Sequence, residues 1–190
     1  MRNGIGLALL TTTVAALALA ALQVASPSGA SRLRGSGVCG GDRWHVRTLQ
    51  DRPKLLPAHT TTLRKLGELR RPSSIPATRM PIERQIVTLN TGAAIATREA
   101  NGDFRVMLYD PRSKVRELWA FAPHPFCNSR ATNYRRRQMG IARQRLLKAY
   151  EASCGVTQVT GVLFFSTRPK TLRERFAQLR PILRVETGCS

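Results

Sequence analysis

Two glycines inside long β patterns constrain the fold of this chain more than any other feature. The run "VTQVTGVLFF", from Val156 to Phe165, has the composition of a strand but carries Gly161 near its centre. A second β pattern, Ile86 to Thr97, is interrupted in the same way by Gly92. Glycine weakens an ordinary strand and is found where a strand bends sharply or another backbone comes close. The pair therefore favours a small barrel, whose strands must coil.

Apolar periodicity predicts five strands and one long helix. The strands are at 86–97, 104–109, 115–122, 156–165 and 182–185, and the helix is at 132–153, between the third and fourth strands. This β-β-β-α-β-β order is that of the OB-fold, a five-stranded Greek-key barrel. We therefore expect a mainly β protein with one long helix (α+β), with an OB-like barrel domain at 83–186 and a tail at 187–190.

The period-two alternation also predicts which side chains face the interior. In the second strand these are Phe104, Val106 and Leu108. In the third strand the expected inward residues are Val115, Trp119 and Phe121. A turn that contains the Asn101-Gly102 pair precedes the second strand, because this pair tolerates the positive φ of a tight hairpin.

Residues 1–30 are predicted to be a signal peptide. Their only charge is Arg2, residues 5–24 are almost wholly apolar, and Ser28 and Ala30 provide a small-residue cleavage site. The alternative is an uncleaved anchor, since about 20 apolar residues can span a bilayer. We expect cleavage after Ala30, a periplasmic or extracellular location and no stable membrane insertion afterwards.

Residues 31–82 are predicted to be a flexible lead followed by a proline-rich arm. The arm cannot form a continuous helix or strand because of its prolines, which are Pro53, Pro57, Pro72, Pro76 and Pro81. One short helix fits between them, capped by Thr61 or Thr62. Its apolar side would be formed by Leu63, Leu66 and Leu69.

The four cysteines predict two disulfide bonds, as is usual in exported chains. They are Cys39, Cys127, Cys154 and Cys189, and they allow three pairings. The pairs Cys127–Cys154 and Cys39–Cys189 are favoured, provided that the chain doubles back after Cys127. No two cysteines have the short spacing of zinc sites, so no metal is predicted.

Several short motifs occur in the same order along most of the chain. They are Arg43-Trp44-x-Val46-x-Thr48-Leu49, Thr60-Thr61-Thr62-Leu63, Tyr109-Asp110-Pro111 and Val159-Thr160-Gly161-Val162-x-Phe164-Phe165. In these motifs the chain resembles a group of small exported bacterial proteins of uncharacterised function. The resemblance implies an exported OB-like domain and supplies no catalytic residue. The chain departs from the group in its last hairpin, where it keeps a turn at Pro181 but lacks the glycine-rich segment and the Glu-x-His-Pro-like end.

A net charge of +20, from 31 Lys and Arg against 11 Asp and Glu, favours a polyanionic partner. OB barrels bind such ligands over their second and third strands and the adjoining loops. The expected ligand-binding residues on those strands and on the last connection are Arg105, Tyr109, Arg116, Arg168, Lys170, Arg173 and Arg175. The expected partner is a single-stranded nucleic acid or an acidic polysaccharide. The alternative is a basic face that is merely solvated.

Residue patterns typical of enzymes are sparse. The three histidines, His45, His59 and His124, lack metal-ligand spacing, and the chain has no nucleophile elbow or phosphate-binding glycine loop. Asp103 and Asp110 flank the second strand and could form a nuclease-type metal pair, but both occupy turn positions. No catalytic residue and no cofactor is therefore predicted. The alternative functions are a secreted metal-dependent nuclease-like phosphodiesterase and an envelope protein-interaction domain.

Overall fold

Seven strands form one mixed sheet in the computed structural model, which describes residues 39–91, 93–110, 117–167 and 177–189. The strands are β1 (Ala58–Thr61), β2 (Ile86–Asn90), β3 (Ala93–Arg98), β4 (Phe104–Tyr109), β5 (Leu118–Ala122), β6 (Val156–Phe165) and β7 (Ala177–Thr187). They are hydrogen-bonded in the order β1-β2-β6-β7-β5-β4-β3. The pairs β1–β2 and β5–β7 are parallel and the other pairs are antiparallel. The predicted signal peptide and residues 31–38 lie outside the described ranges.

Three α-helices accompany the sheet in the described ranges: α1 (Trp44–Arg47), α2 (Leu63–Gly67) and α3 (Asn133–Glu151). α3 begins where predicted, because the hydroxyl of Thr132 accepts a hydrogen bond from the backbone N–H of Arg135 at 3.3 Å. α2 begins in the same way at Thr62. The mixed α and β composition and the long helix between β5 and β6 are confirmed. None of these helices has both the length and the apolar character needed to cross a bilayer.

The main core lies between α3 and one face of the sheet. Phe104, Val106 and Leu108 of β4 are buried there, as predicted. The predicted faces of the next strand are wrong. Its inward residues are Leu118, Ala120 and Ala122, while Trp119 and Phe121 lie on the opposite face. The strand is apolar on both faces, so its pairing with β4 decides which face is inward.

The prediction of a five-stranded barrel is not confirmed. The predicted strand at 86–97 forms two strands, β2 and β3, and the proline-rich arm contributes β1 to the edge of the sheet. The last strand has eleven residues rather than four, and Pro181 lies inside it rather than in a turn. The motif around Trp44 forms α1, with Val46 buried.

Gly161 lies where β6 and β7 approach each other closely. A Cβ atom at this position would be 2.9 Å from the Cβ of Leu179 and 3.2 Å from the carbonyl oxygen of Pro181. The register between the two strands also shifts at this point. The glycine in the apolar run is therefore explained by lack of space for a side chain. Gly92 lies outside the described residues.

Two disulfide bonds are present, as predicted, but the predicted pairing is wrong. Cys39 is bonded to Cys127, and Cys154 is bonded to Cys189. Cys127 and Cys154 flank the 19 residues of α3, which separate its ends by about 28 Å. This length is far greater than the Cα–Cα distances of 5.3 and 5.7 Å in the two bonds that form. The two bonds fit the oxidising environment of an exported protein.

Candidate binding groove

The predicted binding surface is only partly described by the structure. Arg105 and Tyr109 lie on β4, on the face opposite the core. The guanidinium of Arg105 lies 4.5 Å from the ring centroid of Trp119, and its Nε is 2.8 Å from a carboxylate oxygen of Glu99. Arg105 is thus engaged by the protein itself. The other predicted residues of this surface lie outside the described ranges; they are Arg116, Arg168, Lys170, Arg173 and Arg175.

Several arginines stabilise the fold through hydrogen bonds to the backbone. Arg143 of α3 donates to the carbonyl of Gly102 at 2.6 Å, and Arg145 donates to that of Val185 at 2.8 Å. Arg79 donates to the carbonyl of Glu83 at 2.8 Å and pairs with Asp51. These three arginines hold segments of the chain together, so a ligand site has to be sought among other side chains.

A groove of about 520 Å³ lies between the first turns of α3 and the strands β2, β6 and β7. Leu55, Leu56 and Pro57, just before β1, also line it. The lining residues include Arg135 and Arg184, and none of those that the structure describes is acidic. Concave sites with a few fixed polar groups are the usual places for ligands to bind.

The α3 side of the groove carries a connected set of three side chains. Arg135 donates from Nη1 to the amide oxygen of Gln138 at 2.7 Å. Gln138 in turn donates to the hydroxyl of Tyr134 at 3.2 Å. The guanidinium of Arg135 lies 5.2 Å from the Tyr134 ring centroid, and 65% of Tyr134 is exposed. The cation is thus held beside an accessible aromatic ring.

Partial burial in the groove affects the pKa and the hydration of Arg135. Partial burial lowers the pKa of Arg135 from its ordinary value, an effect that the neighbouring Tyr134 opposes. An arginine nevertheless stays protonated at any physiological pH. Its charge is therefore only partly solvated in the groove, and an anion bound there would replace some of the lost hydration.

The strand side of the groove offers hydroxyl and amide groups. The hydroxyls of Thr88 on β2 and Thr160 on β6 are 2.9 Å apart. Gln158 donates to the side-chain oxygen of Asn90 at 2.8 Å. Arg184 of β7 is exposed and forms an ion pair with Glu186 at 2.7 Å. This wall can therefore both donate and accept hydrogen bonds.

The helical periodicity of the sequence contains a signal for this groove. The buried residues of α3 are Met139, Ala142, Leu146 and Ala149. Arg135 lies four residues, about one helical turn, before Met139. This arginine is therefore on the same face of α3 as the buried residues. Residue type alone places Tyr134 on the apolar side of the helix and Arg135 on its basic side. The structure instead brings both of them to the groove.

Asp103 has the turn role expected for it rather than a metal-binding role. Its carboxylate is buried and accepts hydrogen bonds from the backbone N–H of His124 at 2.8 Å and from the side chain of Asn101 at 3.1 Å. Asp110 lies beyond the other end of β4, roughly 20 Å away, too far to share one ion. No group of three or more His, Cys, Asp or Glu within the described ranges could hold a metal ion.

Comparison of the chain with protein-family models, with curated proteins and with solved structures found no match. The resemblance to the group of small exported bacterial proteins therefore stays a prediction. A function has to be inferred from the residues of this chain and from their arrangement.

Proposed function

We propose that this chain is an exported OB-like module that binds an anionic polymer and that the groove is its main contact with that polymer. The observation that carries the proposal is the position of Arg135, half-buried and fixed by Gln138 beside the exposed ring of Tyr134. The planar guanidinium matches the geometry of carboxylate and phosphate groups. A cation that is already oriented loses little entropy when it binds an anion.

The strand connections support the OB-like part of the proposal. β2 and β3 are separated only by Thr91 and Gly92, and β3 also contacts β6. If β2 and β3 are the two halves of one bent strand, the sheet without β1 has five strands. α3 then lies between the third and the fourth, which is the order inferred from the sequence. A barrel of this kind would leave the arm strand β1 as an addition at its edge.

The charge balance supports binding to an anionic polymer, and the disulfide bonds support export. The net charge of +20 would attract polyanions over a distance and raise their rate of association. Arg184 also lines the groove, where its charge is shared with Glu186 in an ion pair. The two disulfide bonds agree with the export that the predicted signal peptide implies.

A salt-titrated binding panel tests this function. The purified protein is mixed with poly(dT), polygalacturonate or uncharged dextran, and its affinity for each is measured from about 50 to about 200 mM NaCl. We expect binding to one or both polyanions that weakens roughly 10-fold or more over this range, and no binding to dextran. Affinity that does not change with salt, or equal binding to dextran, would contradict the proposal. Shortening of poly(dT) in the presence of Mg²⁺ would instead support a phosphodiesterase.

A further inference from the structure

We propose that the groove selects an acidic polysaccharide by binding a carboxylate-bearing sugar unit against Arg135 and Tyr134. This inference rests on the proposed binding of an anionic polymer and names the class of that polymer. It is supported by the kinds of side chain that line the groove, rather than by the net charge of the chain.

The carboxylate fits the guanidinium of Arg135. The bond from Nη1 to Gln138 uses one of the five N–H donors of this side chain. The planar fork can then form paired hydrogen bonds with a carboxylate. Because the bond to Gln138 orients the fork, the arginine requires little rearrangement to receive the ligand.

The hydroxyl groups of a sugar fit the strand side of the groove. Thr88 carries a hydroxyl and Gln158 an amide, and both are partly exposed, while the hydroxyl of the buried Thr160 bonds to that of Thr88. All three side chains can both donate and accept hydrogen bonds. Sugar hydroxyls have the same dual character, whereas the oxygens of a phosphodiester only accept. A ligand with many hydroxyls therefore uses this wall more fully than a phosphate backbone does.

The aromatic content of the groove argues against single-stranded nucleic acid. Proteins that bind single strands stack successive bases on a series of aromatic rings. Among the described residues that line the groove, Tyr134 is the one aromatic side chain, and the apolar ones nearby are aliphatic, such as Leu55 and Leu183. One exposed ring beside aliphatic groups suits the apolar face of a single sugar ring.

The test compares three probes at one salt concentration by calorimetry. They are an oligogalacturonate, the same oligosaccharide with its carboxylates methyl-esterified, and poly(dT) of similar charge. We expect the oligogalacturonate to bind most tightly. Its ester should bind roughly 10-fold or more weakly, because the charged hydrogen bonds to arginine are lost.

Two variants of α3 locate the site. We expect Arg135→Gln to weaken oligogalacturonate binding about 10-fold. The matched control is Arg137→Gln, which removes the same charge from an exposed position outside the groove and should change the affinity less than about 2-fold. Tyr134→Ala is a second test at an exposed position and should weaken binding to the oligosaccharide at least about 5-fold.

The outcomes separate the two proposals. Salt-sensitive binding in which poly(dT) equals or exceeds the oligogalacturonate would overturn this inference and leave the proposed function standing. Equal losses from Arg135→Gln and Arg137→Gln would overturn the groove as the site. Absence of binding to every polyanion would overturn both proposals.

Discussion

Arg43 and Glu83 form a buried ion pair with two contacts, at 2.5 Å between Nη1 and Oε1 and 2.6 Å between Nη2 and Oε2. Their side chains are 4% and 0% exposed. The carboxylate also accepts hydrogen bonds from the backbone N–H groups of Met80 and Phe165, at 2.9 and 2.8 Å. The side chain of Glu83 therefore connects the residue before α1, the turn before β2 and the end of β6.

Replacing Glu83 by Gln should destabilise the protein strongly. The change leaves the guanidinium of Arg43 buried without a counter-charge, which costs about 3–5 kcal/mol in such pairs. The free energy of unfolding in urea measures the effect. Glu68→Gln is the control, because its pair with Arg64 is exposed and should contribute less than about 1 kcal/mol. Similar losses in the two variants would show that the buried pair does not hold these segments together.

Gly161→Ala should lower stability because the new Cβ has no room. Its nearest neighbour, 2.9 Å away, is the Cβ of Leu179, which cannot move without the backbone of β7. Overpacking of this kind costs about 1–3 kcal/mol. Gly140→Ala is the comparison, since nothing lies within 4 Å of a Cβ added there and α3 should gain about 0.5–1 kcal/mol. Thermal unfolding of both variants gives the two shifts, and a neutral Gly161→Ala would refute the close approach.

The disulfide pairing can be checked by non-reducing peptide mapping. We expect linked peptides that contain Cys39 with Cys127 and Cys154 with Cys189. Replacing both members of either bond by serine should cost about 2–5 kcal/mol of stability. Peptides that link Cys127 to Cys154 would contradict the structure.

His124 should make stability depend on pH. Burial lowers its pKa from the ordinary value of 6.5, and the nearby Arg143 and Arg98 lower it further, while Asp103 raises it. The unfolded chain then binds the proton more readily than the folded protein does. Stability is therefore full above about pH 6.5 and falls as the pH drops through the folded-state pKa.

Urea unfolding at about pH 7.5 and about pH 5.5 measures this effect, since carboxylates stay mostly ionised in that range. We expect the wild type to lose stability at the lower pH and His124→Asn to lose less. The side-chain oxygen of asparagine takes the place of the imidazole Nδ1, which accepts a hydrogen bond from the backbone N–H of Phe126 at 3.4 Å. An equal loss in the two proteins would exclude His124 as the source.

The elements with strong local signals were predictable. The alternation of β4, the span of β6 and the start of α3 at Thr132 follow from side-chain periodicity and from one capping hydroxyl, which are properties of neighbouring residues. The inward face of β5 was not predictable, because both of its faces are apolar and only the partner strand distinguishes them. The long last strand was missed because its hydrogen bonds to β6 outweigh the presence of Pro181.

The sequence by itself determined the basic character of the chain, its four cysteines, the strands β4 and β6 and the long helix. Only the tertiary structure decided which cysteines pair, which arginines hold the backbone and which reach a groove. These features depend on contacts between residues far apart in the chain, such as Arg43 with Glu83 and Arg145 with Val185. Local propensity cannot specify such contacts, because they exist only once the strands and α3 have packed against one another.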